Sequence, residues 1–257
     1  MKTIAELSNR KFLVKMMCIG ASGTGKTHLA ATFPKTYFLS TEPGGMDTIM
    51  TNQELRKNLV GCEELIPNSP ADTARIFQEI SKATLEAKQL AKEGKIETLV
   101  LDNMTFLSEN RWIYIEQFEK ELTNSGAVNT MAMYGKLARW LYQFTLMELL
   151  TFPGNVVITA HEQLESDEAL DKKPDKTTPV LANILGGFRD KVDGMFSLVF
   201  YLSKMKEATK YRYFARTNKG NSRNAKSRIP LPEIIEDISY VKLMEVINQT
   251  LKQKEVK

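Results

Sequence analysis

Gly20-Ala21-Ser22-Gly23-Thr24-Gly25-Lys26-Thr27 satisfies the pattern G-x-x-x-x-G-K-[ST] at every defined position. That pattern belongs to a loop that wraps phosphate. Its setting agrees with its chemistry. Val14 to Ile19 comes before it, an apolar run with Lys15 as its only charge, and reads as a buried strand. His28, Leu29, Ala30, Ala31 and Phe33 come after it and read as a short helix stopped by Pro34. Glycines let backbone N–H groups curl around phosphate oxygens, and the helix start adds partial positive charge. Gly20, Ala21, Ser22, Gly23, Thr24, Gly25, Lys26, Thr27 and the adjoining His28 are therefore the expected nucleotide-binding residues. Lys26 is expected to reach the β- and γ-phosphates of ATP, and the Thr27 hydroxyl to bind Mg²⁺.

The totals bound the answer. The chain has 257 residues, of which 42% are hydrophobic, enough for a sizeable core. No Pro/Gly/Ser-rich linker or internal repeat divides it, so a single α/β domain over 1–257 is expected. Its core should span about 12–230, with a C-terminal helical region over about 231–257. The longest apolar runs fall short of a bilayer, and the first residues lack the apolar core of a signal peptide. Cys18 and Cys62 read as reduced core thiols rather than a disulfide or metal site. A cytoplasmic protein without a membrane partner is expected. Net charge is only +4, but it is unevenly placed. From Lys204 to Arg228 there are nine Lys/Arg against the single acid Glu207, a local +8. Such a stretch suits a polyanion, although for any one lysine a solvated hairpin face is the simpler reading.

Taken in order, residues 1–11 read as a loose polar arm. Thr36 to Thr41 reads as a second strand ending at Glu42, with Pro43-Gly44-Gly45 as the break. If that strand lies beside the phosphate-loop strand, Glu42 stands at the mouth of the nucleotide crevice and can polarise an attacking water. Read alone, it equally opens a surface turn. Residues 46–68 look irregular, with a short strand near Val60. Ser69-Pro70 starts a helix that Gly94 closes. Ile96 to Leu101 is an apolar run ending in Asp102, the second nucleotide signature, with Asp102 holding Mg²⁺ through water. Asn103 or Thr105 is expected to cap the next helix, whose aromatic stripe reads as core. A polar loop at 123–130 precedes a helix over about 134–151. Val156 to Ala160 is a further central strand with His161 at its end, placed to touch a γ-phosphate. The charged segment 162–178 reads as a long loop at the crevice edge. Met195 to Leu202 and Tyr211 to Ala215 form an antiparallel hairpin, followed by the basic loop 216–228 and a helical region from Ile234 onward.

These features occur in one order: phosphate loop, Glu after the second strand, Asp after the third motif strand, His after the fourth. In that order the chain resembles the core of RecA-type recombination ATPases, and most of all the short, phage-encoded RecA-like NTP-binding proteins. Tyr37-Phe38-Leu39-Ser40-Thr41-Glu42 is similar to the strand that carries the water-activating Glu. Leu99-Val100-Leu101-Asp102-Asn103 is similar to the Mg²⁺-Asp strand, and Val157-Ile158-Thr159-Ala160-His161 to the γ-phosphate sensor strand. The resemblance covers roughly residues 12–230. It implies a mostly parallel sheet flanked by helices, and Lys26, Glu42, Asp102 and His161 as catalytic residues.

By the same resemblance, loops 123–135 and 162–189 face DNA. Loop 162–178 departs from that pattern, with six acids against three lysines, where a strand-tracking groove should be positive. DNA contact is therefore assigned to Arg189, Arg216, Lys219 and Arg223. The family works as oligomers in which a basic residue reaches the neighbour's ATP, and Lys226 and Arg228 fit that position, with Arg223 a weaker candidate. The resulting expectation is a Mg²⁺-dependent ATPase of DNA recombination, repair or replication, forming a homo-oligomer. Single-stranded DNA or an annealing or binding protein would be its partner. A P-loop nucleoside or small-molecule kinase, and a nucleotide-gated adaptor with little turnover, are the alternatives. Nucleotide preference is left open.

Overall fold

The computed structural model describes residues 12–164, 180–207, 210–218, 223 and 225–255. Strand β1 (Lys15–Ile19) leads into the phosphate loop and helix α1 (Lys26–Ala31), and β2 (Thr36–Ser40) follows. The region expected to be irregular holds two single-turn helices, α2 (Asp47–Met50) and α3 (Gln53–Arg56), before β3 (Leu59–Glu64). Asn52 caps α3: its Oδ1 accepts from the N–H groups of Glu54 and Leu55 at 3.0 and 3.4 Å. A 3₁₀ turn at Pro70–Asp72 opens α4 (Thr73–Lys92), then come β4 (Thr98–Asp102) and α5 (Met104–Phe118).

Helix α6 (Thr130–Gln143) starts earlier than expected, because Asn129 Oδ1 accepts the Ala132 N–H at 3.1 Å. The second half of the expected loop 123–135 is therefore helical. A π-helical turn, Phe144–Leu149, carries the chain to β5 (Asn155–Ala160). The ends of the expected long loop are not loop: β6 (Glu162–Leu164) pairs antiparallel with β7 (Val180–Ala182). The acids and lysines between them, the arm at 1–11, Lys219 and the last two residues lie outside the described residues.

A 3₁₀ turn, Gly186–Phe188, and α7 (Arg189–Met195) come next. Met195 thus ends a helix, and the strand it was expected to open starts later, as β8 (Leu198–Glu207). It pairs with β9 (Lys210–Arg216) in the expected hairpin. Strands β10 (Lys226–Ser227) and β11 (Ile234–Glu236) precede α8 (Tyr240–Glu255). Ile234 and Ile235 were read as helical, yet they form an edge strand. Ile235 is buried while Ile234 is exposed, a period of two, and Pro230 and Pro232 discourage a helix just before them.

The main sheet runs β11-β9-β8-β1-β5-β4-β2-β3, with β10 on β8. Strands β8, β1, β5, β4, β2 and β3 are parallel, and β9, β11 and β10 add antiparallel pairs at one side. The fold is thus α/β with a mostly parallel sheet flanked by helices, as expected. The central strands are buried along almost their whole length and mostly apolar because both faces are covered. On one face Met17, Ile19, Leu99, Leu101 and Ile158 pack with α4, α5 and α6. On the other, Met16, Cys18, Val100 and Val157 pack with Leu29 and Phe33 and with Leu243 and Ile247 of α8. The α5 stripe is core at Leu107 and Ile115, but Phe118 is half exposed. Cys18 is a buried free thiol and Cys62 a half-buried one, and burial pushes each up to about 12. Among the described residues no helix is long and apolar enough to cross a membrane.

Candidate functional site

The phosphate loop leaves β1 at the sheet's C-terminal edge and is held there by backbone. The Gly20 N–H donates to the Ala160 carbonyl at 3.2 Å, and the Glu162 N–H donates to the Gly20 carbonyl at 3.3 Å. Glycine is required where the loop turns: Gly23 and Gly25 have φ of 71° and 89°. At Gly20 the constraint is space, since a Cβ there would lie 2.5 Å from the Leu202 carbonyl oxygen. Lys26 is almost fully buried and folds back, donating to the Gly20 and Ala21 carbonyls at 2.9 Å each. Burial lowers its pKa, while Asp102 and Glu42 pull the other way.

The sheet order corrects one expectation about Glu42. Its strand, β2, is not beside β1; β5 and β4 lie between them. Glu42 still reaches the loop because it sits past the strand end, in a segment that turns back over the sheet edge. Thr41 anchors that segment. Its N–H donates to the Asp102 carbonyl at 2.8 Å, and its hydroxyl donates to the Asn103 carbonyl at 2.6 Å.

Asp102 ends β4, buried and hydrogen-bonded. The Thr27 hydroxyl donates to its Oδ2 at 2.6 Å, and the Thr159 hydroxyl donates to its Oδ1. Register explains the second bond: Leu101 pairs with Ile158 across β4 and β5, so Asp102 and Thr159 come next. Burial raises the Asp102 pKa, and the two hydroxyls oppose that rise. A hydroxyl and a carboxylate in contact beside a phosphate loop suit Mg²⁺, which takes few protein ligands and keeps water and phosphate oxygens for the rest. Among the described residues no group of three or more His, Cys, Asp or Glu could hold a metal alone.

Asn103 has two jobs. Its Oδ1 accepts the Phe106 N–H at 2.9 Å and caps α5, which points its Nδ2 at Glu42 Oε2, 2.5 Å away. His161 Nε2 lies 3.4 Å from the same oxygen. Its own backbone N–H donates to Thr105 Oγ1 at 3.0 Å. The hydrogen bond with His161 holds the Glu42 carboxyl below its ordinary pKa against the opposing effect of burial, with help from Lys26 and Asn103. Both contacts fall on Oε2, so Oε1 stays available as an acceptor.

Lys26, Thr27, Glu42 and His161 open onto one cavity of about 680 Å³, lined by Ser22 to Leu29, Glu42 and His161 on one side, with Asp102 buried behind Thr27. Tyr213, Phe214 and Asp237 to Ser239 line it on the other. The five residues expected to act together, Lys26, Thr27, Glu42, Asp102 and His161, are thus brought together. The basic candidates are not. Arg216 pairs with Glu233, Arg223 lies 3.4 Å from Glu162, and Arg228 donates to the Gly194 carbonyl at 3.2 Å. Arg189 opens α7, Lys226 lies in β10, and none of these five lines the cavity.

Sequence reasoning did not find Thr159, the second role of Asn103, or the far wall. Lys204 was noted only as part of the basic stretch, yet it reaches the loop: its Nζ would be 2.9 Å from a Cβ on Gly23. Nothing local marks Tyr213.

No curated protein matches the chain. The sequence pattern of the family described as AAA domain matches residues 13–229, which include the phosphate loop, Glu42, Asp102 and His161. With that match spanning most of its length, and with the loop folded as a phosphate cradle, the chain belongs to the AAA domain family and is a P-loop NTPase-type nucleotide-binding protein.

Proposed function

We propose that this protein is a Mg²⁺-dependent ATPase of RecA-like type, with the whole chain working as one domain. The observation that carries the reading is the convergence of Glu42, His161 and Thr27, whose hydroxyl is bonded to the buried Asp102, on one cavity over the phosphate loop. Lys26 and the loop N–H groups would hold the β- and γ-phosphates. Thr27 and Asp102 would hold Mg²⁺, which when bound neutralises phosphate charge. Glu42, fixed through Oε2 by Asn103 and His161, keeps Oε1 to accept a hydrogen bond from water. That water's oxygen attacks the γ-phosphorus as the bond to the bridging oxygen of ADP breaks. Its low pKa keeps Glu42 ionised and accepting at neutral pH. His161 touches Glu42 and sits one residue before β6, which supports reading it as the relay of γ-phosphate loss to β6.

The resemblance to phage-encoded RecA-like proteins supports a role in DNA recombination, repair or replication in the host cytoplasm. The partner would be single-stranded DNA or an annealing protein. The +8 stretch from Lys204 to Arg228 supports a polyanionic partner. Arg189, Arg216, Lys219 and Arg223 are the proposed DNA contacts, and Lys226 or Arg228 the residue reaching a neighbour's ATP in a homo-oligomer. A residue acting in that way can contribute roughly 10³–10⁵ in rate. The test is ATP hydrolysis with and without single-stranded DNA at two salt concentrations, with particle size followed in parallel. DNA-stimulated, salt-sensitive hydrolysis by an oligomer is expected. Transfer of the γ-phosphoryl to a nucleoside, without free phosphate release, would overturn the assignment.

A further inference from the structure

The phosphate loop and the acids account for one end of the cavity. Strand β1 lies between β5 and β8, and Thr27, Asp102, Glu42 and His161 all gather on the β5-β4-β2 side. The same cavity continues past Gly25 to β9 and to the turn after β11. A nucleoside triphosphate with its terminal phosphate between Thr27 and Glu42 must send its nucleoside the other way.

That end carries a partly exposed aromatic ring. Tyr213 is 38% exposed. Its Cδ1 and Cε1 would lie 3.4 and 3.7 Å from a Cβ on Gly25. The ring thus lies within van der Waals reach of the phosphate loop at Gly25. Its backbone is tied to the residue behind it. The Asp237 N–H donates to the Tyr213 carbonyl at 2.8 Å, and the Tyr213 N–H donates to Asp237 Oδ1 at 3.3 Å. Asp237 holds φ at 43°, in the left-handed region that a non-glycine residue seldom adopts. Ile238, nearly buried, adds apolar surface beside it. This wall is in turn fastened to α1. The Tyr240 N–H donates to Thr32 Oγ1 at 2.8 Å, and the Phe33 and Tyr240 rings sit 4.8 Å apart.

We infer that Tyr213, backed by Asp237 and Ile238, is the nucleoside-binding wall of the pocket, with the Tyr213 ring as the platform on which the base stacks. A flat apolar face beside a phosphate cradle has the chemistry that separates a nucleotide from a bare polyphosphate. Asp237 Oδ1 is committed to the backbone, which leaves Oδ2 to accept from a hydroxyl or amino group of the nucleoside. The inference rests on the nucleotide reading given above.

The test compares a nucleoside triphosphate with its phosphates alone. Full-length protein is titrated calorimetrically with Mg²⁺ and either the non-hydrolysable AMP-PNP or inorganic tripolyphosphate. Tyr213→Ala is expected to weaken AMP-PNP roughly 10-fold while leaving tripolyphosphate unchanged, and Tyr213→Phe to bind both as wild type does. As a second readout, 2-aminopurine riboside triphosphate fluorescence should be quenched on binding wild type and Tyr213→Phe, and not on binding Tyr213→Ala. Unquenched fluorescence on wild-type protein, or equal loss of both ligands in Tyr213→Ala, overturns the inference. Tripolyphosphate binding that survives in Lys26→Ala would instead remove the nucleotide reading beneath it.

Discussion

The two walls of the cavity are built differently. On the β5-β4-β2 side the polar groups are interlocked: Asp102 accepts from Thr27 and Thr159, and Glu42 is held by Asn103 and His161. On the β9-β11 side Lys204 and Tyr213 are exposed, and the tyrosine is tied through its main chain to the Asp237 N–H and carboxylate. The contrast fits a division of labour. Chemistry at phosphorus needs groups set before substrate arrives, because reorganising them during reaction is costly. A base-stacking face needs only area and a fixed backbone. The interlocked wall is also where a charge has been buried against its own preference, as Asp102 shows.

Substitutions should separate the walls by what they change. Glu42→Gln is expected to lower turnover by roughly 10²–10⁴ while nucleotide affinity stays within about threefold, read by phosphate release and calorimetry. Normal turnover would remove Glu42 from the reaction. Lys26→Ala, between the walls, should weaken AMP-PNP and tripolyphosphate alike by roughly 100-fold, since it deletes a charge-assisted hydrogen-bond donor to phosphate. A loss confined to one ligand would place Lys26 on a single wall.

Asp102→Asn sharpens the comparison through stability. Burial raises the Asp102 pKa in the folded protein. Its ionised form is therefore disfavoured on folding, and stability is lost as pH rises through the unfolded and then the folded value. Removing the charge should raise the melting temperature of the ligand-free protein by about 2–4 °C while abolishing the Mg²⁺ dependence of nucleotide binding. A lower melting temperature with Mg²⁺ dependence intact would contradict both halves.

The smallest effect concerns Glu42, whose pKa is lowered chiefly by its hydrogen bond with His161. Its contribution is present above the unfolded carboxyl pKa and is lost as pH falls through the lowered folded value. His161→Ala should move the acid unfolding midpoint upward by on the order of a few tenths of a pH unit. An unchanged midpoint would mean that the contact adds nothing to the interlocked wall.

How much of this was written locally in the chain differs between the walls as well. The phosphate loop, the acids after β2 and β4, and His161 after β5 each sit at a strand end, where an apolar run meets a polar residue. Such junctions are visible in one dimension. The lateral order of strands is not, so Glu42 was placed beside β1 when β5 and β4 intervene. Thr159 was hidden for the same reason, since its role depends on the register of β5 against β4. Tyr213 and Asp237 were hidden more deeply. Tyr213 lies in β9 and Asp237 just past the end of β11, and only the antiparallel pairing of those two strands brings them together. The C-terminal helix was misjudged at its start because two prolines and a period of two outweighed the isoleucine spacing. Asn52 and Asn129 each turned an expected loop into helix through a side-chain cap.

The bond from Tyr240 to Thr32 joins residues 208 positions apart in the chain. During synthesis the cradle therefore leaves the ribosome long before its opposite wall exists. A nascent chain that has grown only as far as β8 holds the phosphate-binding half with one side open to water. Closing so distant a contact is slow and entropically costly, so assembly of the finished pocket waits on the last strand and helix to dock.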